Sequence, residues 1–147
     1  MASHISKYPF FAPPSRPAGP YLPIKIKNPL TNKEIEWYCL IDTGADTCLF
    51  NGEIAEMLGH DLKGEGVKSS VSTGVDAVPI RTYMHTFILS LMHPTIQNKV
   101  VWKGKKRLFE CIDNNKCPLL LGIDDFLRYF RLSIDFKQQM TSLQWKS

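Results

Sequence analysis

Apolar and polar residues alternate along most of this chain with a period of two. Leu22, Ile24 and Ile26 alternate with Lys25 and Lys27, the pattern of a strand with one face in a core and one in water. After the turn cluster Asn28-Pro29-Leu30-Thr31-Asn32 a second strand runs from Glu34 to Asp42. It alternates at first and becomes apolar throughout over Trp37–Ile41, which predicts a buried strand end. Val67–Thr73 and Pro79–Leu91 flank Gly74-Val75-Asp76-Ala77-Val78 as a long hairpin with a small-residue tip. Lys99–Trp102 and Arg107–Ile112 read as two strands around a basic turn. Pro118–Gly122 is a buried strand closed by glycine, and Leu132–Phe136 with Met140–Trp145 forms a closing hairpin. Helical spacing is confined to Glu53–Leu58, with Gly59 as C-cap, and to Ile123–Phe130. The prediction is an all-β, barrel-like domain with one or two short helices.

One stretch breaks the alternation in a chemically suggestive way. Leu40-Ile41-Asp42-Thr43-Gly44-Ala45-Asp46-Thr47 ends an apolar strand on a carboxylate, then turns at a glycine. Gly44 permits close backbone approach or a positive φ, and Thr43 and Thr47 set hydroxyls beside the acid. This is half of what an acid/base hydrolase with paired carboxylates requires. Read blandly, Asp42 is a turn carboxylate accepting backbone hydrogen bonds, Asp46 has capping duty, and Thr43 makes a local hydroxyl-to-backbone bond.

Composition narrows the rest. The chain has 147 residues, 44% of them hydrophobic and 22% charged, with a net charge of +4, which suits one domain. Residues 1–20 carry Pro9, Pro13, Pro14, Pro17 and Pro20 and read as an extended, loosely ordered arm ahead of a domain over 21–147. No stretch reads as a signal peptide or a bilayer span, so a cytoplasmic protein without membrane contact is expected. Cys39, Cys48, Cys111 and Cys117 form no CxxC pair and are expected to be reduced, mostly core thiols. His4, His60, His85 and His93 show no ligand spacing with them, so neither metal nor cofactor is expected. The basic run Lys103-Gly104-Lys105-Lys106-Arg107 is read as a solvated hairpin tip rather than a nucleic-acid surface.

In combination, Asp42-Thr43-Gly44-Ala45-Asp46-Thr47 after an apolar strand, a glycine-bearing hairpin, and Leu119-Leu120-Leu121-Gly122 opening a short helix resemble the retropepsin-like aspartic proteases. The likeness runs from about Tyr21 to Trp145. Ile123-Asp124-Asp125 after the glycine departs from the Arg-Asn of viral members and looks more like retrotransposon, cellular DNA-damage-inducible and bacterial relatives. The resemblance implies an aspartic endopeptidase in which Asp42 is catalytic and Thr43 braces two active-site loops. Gly44 then lies under the substrate backbone, Asp46 helps hold the substrate main chain, and Ala45 is a further substrate-binding position. Ser72, Thr73, Gly74 and Val75 belong to a flap over the substrate, and Leu121-Gly122 packs on the catalytic loop. Two carboxylates must share a proton across a water, and the chain has one Asp-Thr-Gly. The implied enzyme is therefore a two-fold homodimer acting on polypeptide, in the cytoplasm or, if part of a retroelement polyprotein, in a particle. Its last strand is expected to pair with its symmetry mate and bury Leu143 and Trp145 there. The reading of a different class is a weakly active or inactive dimerisation or binding domain on the same fold.

Overall fold

The computed structural model describes residues 2–73 and 78–147. Its strands are β1 (Ser3–Pro9), β2 (Tyr21–Lys27), β3 (Glu34–Ile41), β4 (Leu49–Asn51), β5 (Ser69–Thr73), β6 (Pro79–Met92), β7 (Val100–Lys103), β8 (Arg107–Ile112), β9 (Leu120–Leu121), β10 (Arg131–Asp135) and β11 (Met140–Lys146). The helix α1 spans Gly52–Met57, and a single 3-10 turn spans Leu127–Tyr129.

Six strands close into a ring in the order β2-β3-β9-β4-β8-β6, with β6 returning to β2 through Ile24↔Leu91 and Ile26↔Leu89. Closure covers most of the edges of those strands and wraps one core. Leu22, Ile24 and Ile26 from β2 fill it as their alternation predicts, with Phe50, Phe87, Phe109 and Leu121, all at 0 or 1% exposure. Phe50 meets Phe87 and Phe109 edge-on at 5.4 Å in both cases, a favoured aromatic geometry. Each of these side chains contributes roughly 1.5–3 kcal/mol on full burial. Cys39, Cys48 and Cys111 are buried, Cys117 is half-buried, and all four are free thiols.

The turn after β2 does more than reverse the chain. Asn28 is fully buried, and its amide donates to the Leu58 carbonyl at 2.8 Å while its Oδ1 accepts from Leu30 N–H at 2.9 Å. Thr31 Oγ1 donates to the same Leu58 carbonyl at 2.8 Å. Two polar side chains thus satisfy a carbonyl at the end of α1 that has no helical partner. Asn51 caps the other end, accepting from Ile54 N–H at 3.0 Å. Gly59 follows at φ +94°, as a C-cap glycine should.

Several expectations change. Residues 3–9 are not a loose arm. They form β1, paired along its whole length with β11 from Ser3↔Lys146 to Pro9↔Met140. Tyr8 is 2% exposed, and its hydroxyl donates to the Met92 carbonyl at 2.6 Å. Burial pushes that phenol up to about 12. The prolines fall at and after the end of the strand, so the ladder loses no internal donor. As a result β11 is the central strand of a three-stranded sheet, β1-β11-β10. It has no edge left for a symmetry mate, and Leu143 is already at 0% exposure inside the chain's own core.

The basic run is not a hairpin tip. β7 and β8 lie end to end along the same edge of β6, Leu91↔Trp102 and then Phe87↔Arg107. The residues between them bulge, with Gly104 N–H donating to the Leu89 carbonyl at 2.8 Å. Trp37 and Tyr38 are 42% and 45% exposed, so the apolar run of β3 is buried only at Cys39 and Ile41. The helix expected over 123–130 shrinks to the 3-10 turn. β4, three residues long, was not legible as a strand. Among the described residues no helix is long and apolar enough to cross a membrane.

Candidate active site

Chain topology builds the site before any side chain does. β9 lies between β3 and β4, parallel to β3 (Ile41↔Leu121) and antiparallel to β4 (Leu49↔Leu120). The chain leaving β3 must therefore cross the end of β9 to reach β4, and residues 42–48 are that crossing. Asp42 N–H donates to the Leu121 carbonyl at 3.0 Å. The carboxylate comes off the last rung of the ladder, half-buried, with Thr43 and Gly44 exposed beyond it.

The loop is held by its own acid. Asp42 Oδ1 accepts from Gly44 N–H at 3.0 Å, and the Asp42 carbonyl accepts from Ala45 N–H at 3.2 Å. Gly44 is not at positive φ. Its service is the open face: a Cβ there would meet only Asp42 Oδ1, at 3.3 Å.

The segment after β9 clamps the loop from below. Ile123 N–H donates to the Ala45 carbonyl at 3.0 Å, and Asp124 N–H to the Asp46 carbonyl at 2.7 Å. Asp46 thus does turn duty through its backbone, while its side chain is exposed. A Cβ on Gly122 would lie 2.3 Å from Thr47 C and 2.4 Å from Thr47 O. Only glycine allows that approach.

Cys48, Asp125 and Glu110 went unrecognised as site residues in the sequence. Cys48 N–H donates to both carboxylate oxygens of Asp125, at 2.9 and 3.1 Å, and its sulfur accepts from Gly122 N–H at 3.3 Å. Asp125 is 7% exposed. Burial first, and the neighbouring Asp125 carboxylate second, push the Cys48 thiol far above its ordinary value, so it stays protonated and inert. Glu110 on β8 accepts from Thr47 Oγ1 at 2.9 Å and from Thr82 Oγ1 at 3.4 Å. It ties the Asp-Thr-Gly loop to β6, the strand that carries the hairpin. The sole signal for Asp125 was its place in Ile123-Asp124-Asp125, where the resemblance departs from viral members.

Replacing Asp125 by alanine leaves the buried Cys48 N–H without its acceptor. The expected loss is about 1–3 kcal/mol of stability, read as a lowered urea midpoint with unchanged slope. Asp125→Asn, which keeps one acceptor, should lose less.

Ser72 and Thr73 end β5, which pairs with β6 from Ser69↔Tyr83 to Thr73↔Pro79. The hairpin strands are therefore as expected, whereas Gly74 and Val75 lie outside the described residues. The chain supplies one Asp42, so a single copy brings together Asp42, Thr43, Gly44, Ala45 and Asp46 but not a carboxylate pair.

No protein-family model matches the chain, and no curated protein does. Among solved structures, a retropepsin-like aspartic protease from Rickettsia conorii superposes over 99% of this chain and 95% of its own, with a TM-score of 0.53 and 17% identity. The chain has the retropepsin-like fold. The retroviral protease-like domain of Ddi1 from Leishmania major also aligns, over 80% of this chain and 81% of its own, at a TM-score of 0.43 and 18% identity. Within the retropepsin-like barrel the Asp-Thr-Gly loop and the Leu-Leu-Gly strand meet as the resemblance implied.

The retropepsin-like domain also carries a histidine pair away from the loop. The rings of His60 and His85 lie 4.6 Å apart at a 39° tilt. His60 Nε2 lies 2.8 Å from the Thr86 carbonyl, and His85 Nε2 lies 2.9 Å from the Leu62 carbonyl. Burial lowers the His60 pKa below its ordinary value of 6.5, the Thr86 contact partly restores it, and His85 lowers it further. A base depressed in the folded state takes up its proton more readily unfolded. Stability from His60 is thus complete above about pH 6.5 and is lost as pH falls through the lower folded value. Thermal melts between pH 7 and pH 4 should show this loss, and His60→Gln should flatten it.

Proposed function

We propose that the protein is an aspartic endopeptidase, active as a homodimer whose site is completed by two copies of Asp42. The observation that carries the reading is Asp42 itself, a half-buried carboxylate at the end of β3 on a loop fixed at Leu121, Ile123, Asp124 and Asp125. A turn carboxylate with only a structural task does not require so many anchors or an open glycine face beside it. In the dimer one carboxylate is ionised and takes a proton from water, and the other donates to the scissile carbonyl oxygen. No covalent intermediate forms. Thr43, exposed in the single chain, reaches the partner loop. Gly44, Ala45 and Asp46 line the substrate backbone, with Ser72, Thr73, Gly74 and Val75 above it.

The three-stranded sheet bears on how the dimer is sealed. Its edges are β1 and β10, with exposed Ile5 on β1 and exposed Phe136 just past β10. Both termini of the chain belong to one sheet, so removal of residues 1–19 or of residues 140–147 should weaken assembly, and neither truncation should be silent.

The test is a cleavage assay on a diverse peptide pool over a dilution series, with and without a pepstatin-type transition-state mimic, beside analytical ultracentrifugation. Specific activity should fall as dimer dissociates. Full specific activity in a strictly monomeric species would refute the shared site. A dimer that makes no cuts and binds no mimic would favour the binding-domain reading.

A further inference from the structure

The bulge between β7 and β8 does something a solvated hairpin tip would not. It folds its cations over a recess of about 210 Å³ whose lining includes Trp102, Tyr129, Lys103, Lys105, Arg107 and Asp125. Trp102 and Tyr129 face each other at 5.6 Å and a 35° tilt. Lys103 and Lys105 are exposed at the rim. Arg107 spends one guanidinium nitrogen on the Tyr129 hydroxyl, at 2.9 Å. Among the described residues none of these three cations lies within salt-bridge distance of a carboxylate; the ion pairs there are Lys25–Glu34 and Lys63–Asp113.

Charge on an exposed strand edge has an ordinary use, since lysines discourage edge-to-edge pairing. That use explains the lysines and not the aromatic-walled recess beneath them. The interior of the recess is also informative. Asp125 is among its lining residues, and its carboxylate is already committed to Cys48 N–H. A compact anion seated deep would meet a like charge. An occupant that fits both layers places apolar surface against the aromatics and its negative charges at the rim.

We propose that this recess binds an acidic polypeptide segment, inserting one large apolar or aromatic side chain beside Trp102 and Tyr129 while flanking carboxylates reach Lys103, Lys105 and Arg107. The volume suits one such side chain, the anchor-in-pocket arrangement of a peptide contact, and the rim cations supply steering and register. The proposal stands apart from catalysis. Because Asp125 holds the catalytic loop, occupancy is also expected to slow amide exchange at Cys48.

The experiment uses the full chain carrying Asp42→Asn, so that no peptide is cut. Calorimetry compares an acetylated peptide of one phenylalanine flanked by glutamates with two relatives, one with alanine for phenylalanine and one with lysines for glutamates. The expected result is binding of the first alone, weakened by added salt. Lys103→Glu with Lys105→Glu should weaken it about tenfold or more, while Lys33→Glu with Lys137→Glu, the same charge change elsewhere, should not. A pepstatin-type mimic on the wild-type chain should not displace the peptide. Absence of binding, equal loss in both charge-reversed pairs, equal binding of the alanine peptide, or displacement by the mimic would each overturn the proposal. Tighter binding of inorganic phosphate or a single-stranded oligonucleotide than of the peptide would overturn it as well.

Discussion

Asp42→Asn should abolish peptide hydrolysis and leave the protein folded. The two side chains have the same shape, and an amide oxygen can still accept the Gly44 N–H that Asp42 Oδ1 accepts at 3.0 Å. The loop's other bonds at this residue, Asp42 N–H to the Leu121 carbonyl and Ala45 N–H to the Asp42 carbonyl, are backbone bonds untouched by the change. Stability should therefore move by less than about 0.5–1 kcal/mol. What asparagine cannot do is ionise or share a proton. With both copies replaced, the proposed dimer would lose its general base and its general acid together, and kcat should drop by about 10³-fold or more. Heterodimers of wild-type and mutant chains should be inactive too, so mixing should suppress activity in proportion to mutant incorporation. Near-normal cleavage by a folded mutant would remove Asp42 from the mechanism.

Gly122→Ala is the change expected to do most damage to structure. A methyl group there would sit 2.3 Å from Thr47 C, 2.4 Å from its oxygen and 2.7 Å from its Cα. These are backbone atoms, not the far end of a flexible side chain, so relief requires the Asp-Thr-Gly loop to move off β9. That movement strains the clamps from Ile123 and Asp124 to the Ala45 and Asp46 carbonyls, and the contact from Gly122 N–H to the Cys48 sulfur. The cost should be about 3 kcal/mol or more, at the upper end for overpacking. Activity should be lost even in the fraction that stays folded, because Asp42 moves with its loop. Denaturant unfolding beside active-site titration with a tight inhibitor separates the two effects. Wild-type stability in the mutant would mean that the close approach of Gly122 to Thr47 is unnecessary.

The sequence by itself determined the parts whose cause is local. Alternation at Leu22, Ile24 and Ile26 is a property of a few neighbouring residues, and it placed β2 and its buried face. Asn28 to Asn32 and Gly59 marked the turn and the helix end because their conformations are set by their own side chains or lack of one. A carboxylate followed by Thr-Gly after an apolar strand, with Leu-Leu-Gly downstream, marked Asp42 as the candidate reacting group and Leu121-Gly122 as the segment its loop packs on.

Only the tertiary structure decided the features that depend on residues far apart in sequence. The proline-rich start gives no local sign of β1, because its strand character comes from pairing with β11, more than a hundred residues away. β4 is three residues long and owes its existence to β8 and β9 on either side. The basic run became a bulge rather than a tip because β6 is long enough to carry β7 and β8 on one edge. Asp125, Cys48 and Glu110 carry ordinary side chains at unremarkable spacings. They belong to the site because the crossing over β9 leaves a buried N–H and a loop hydroxyl that must find acceptors, and those acceptors come from other strands and turns.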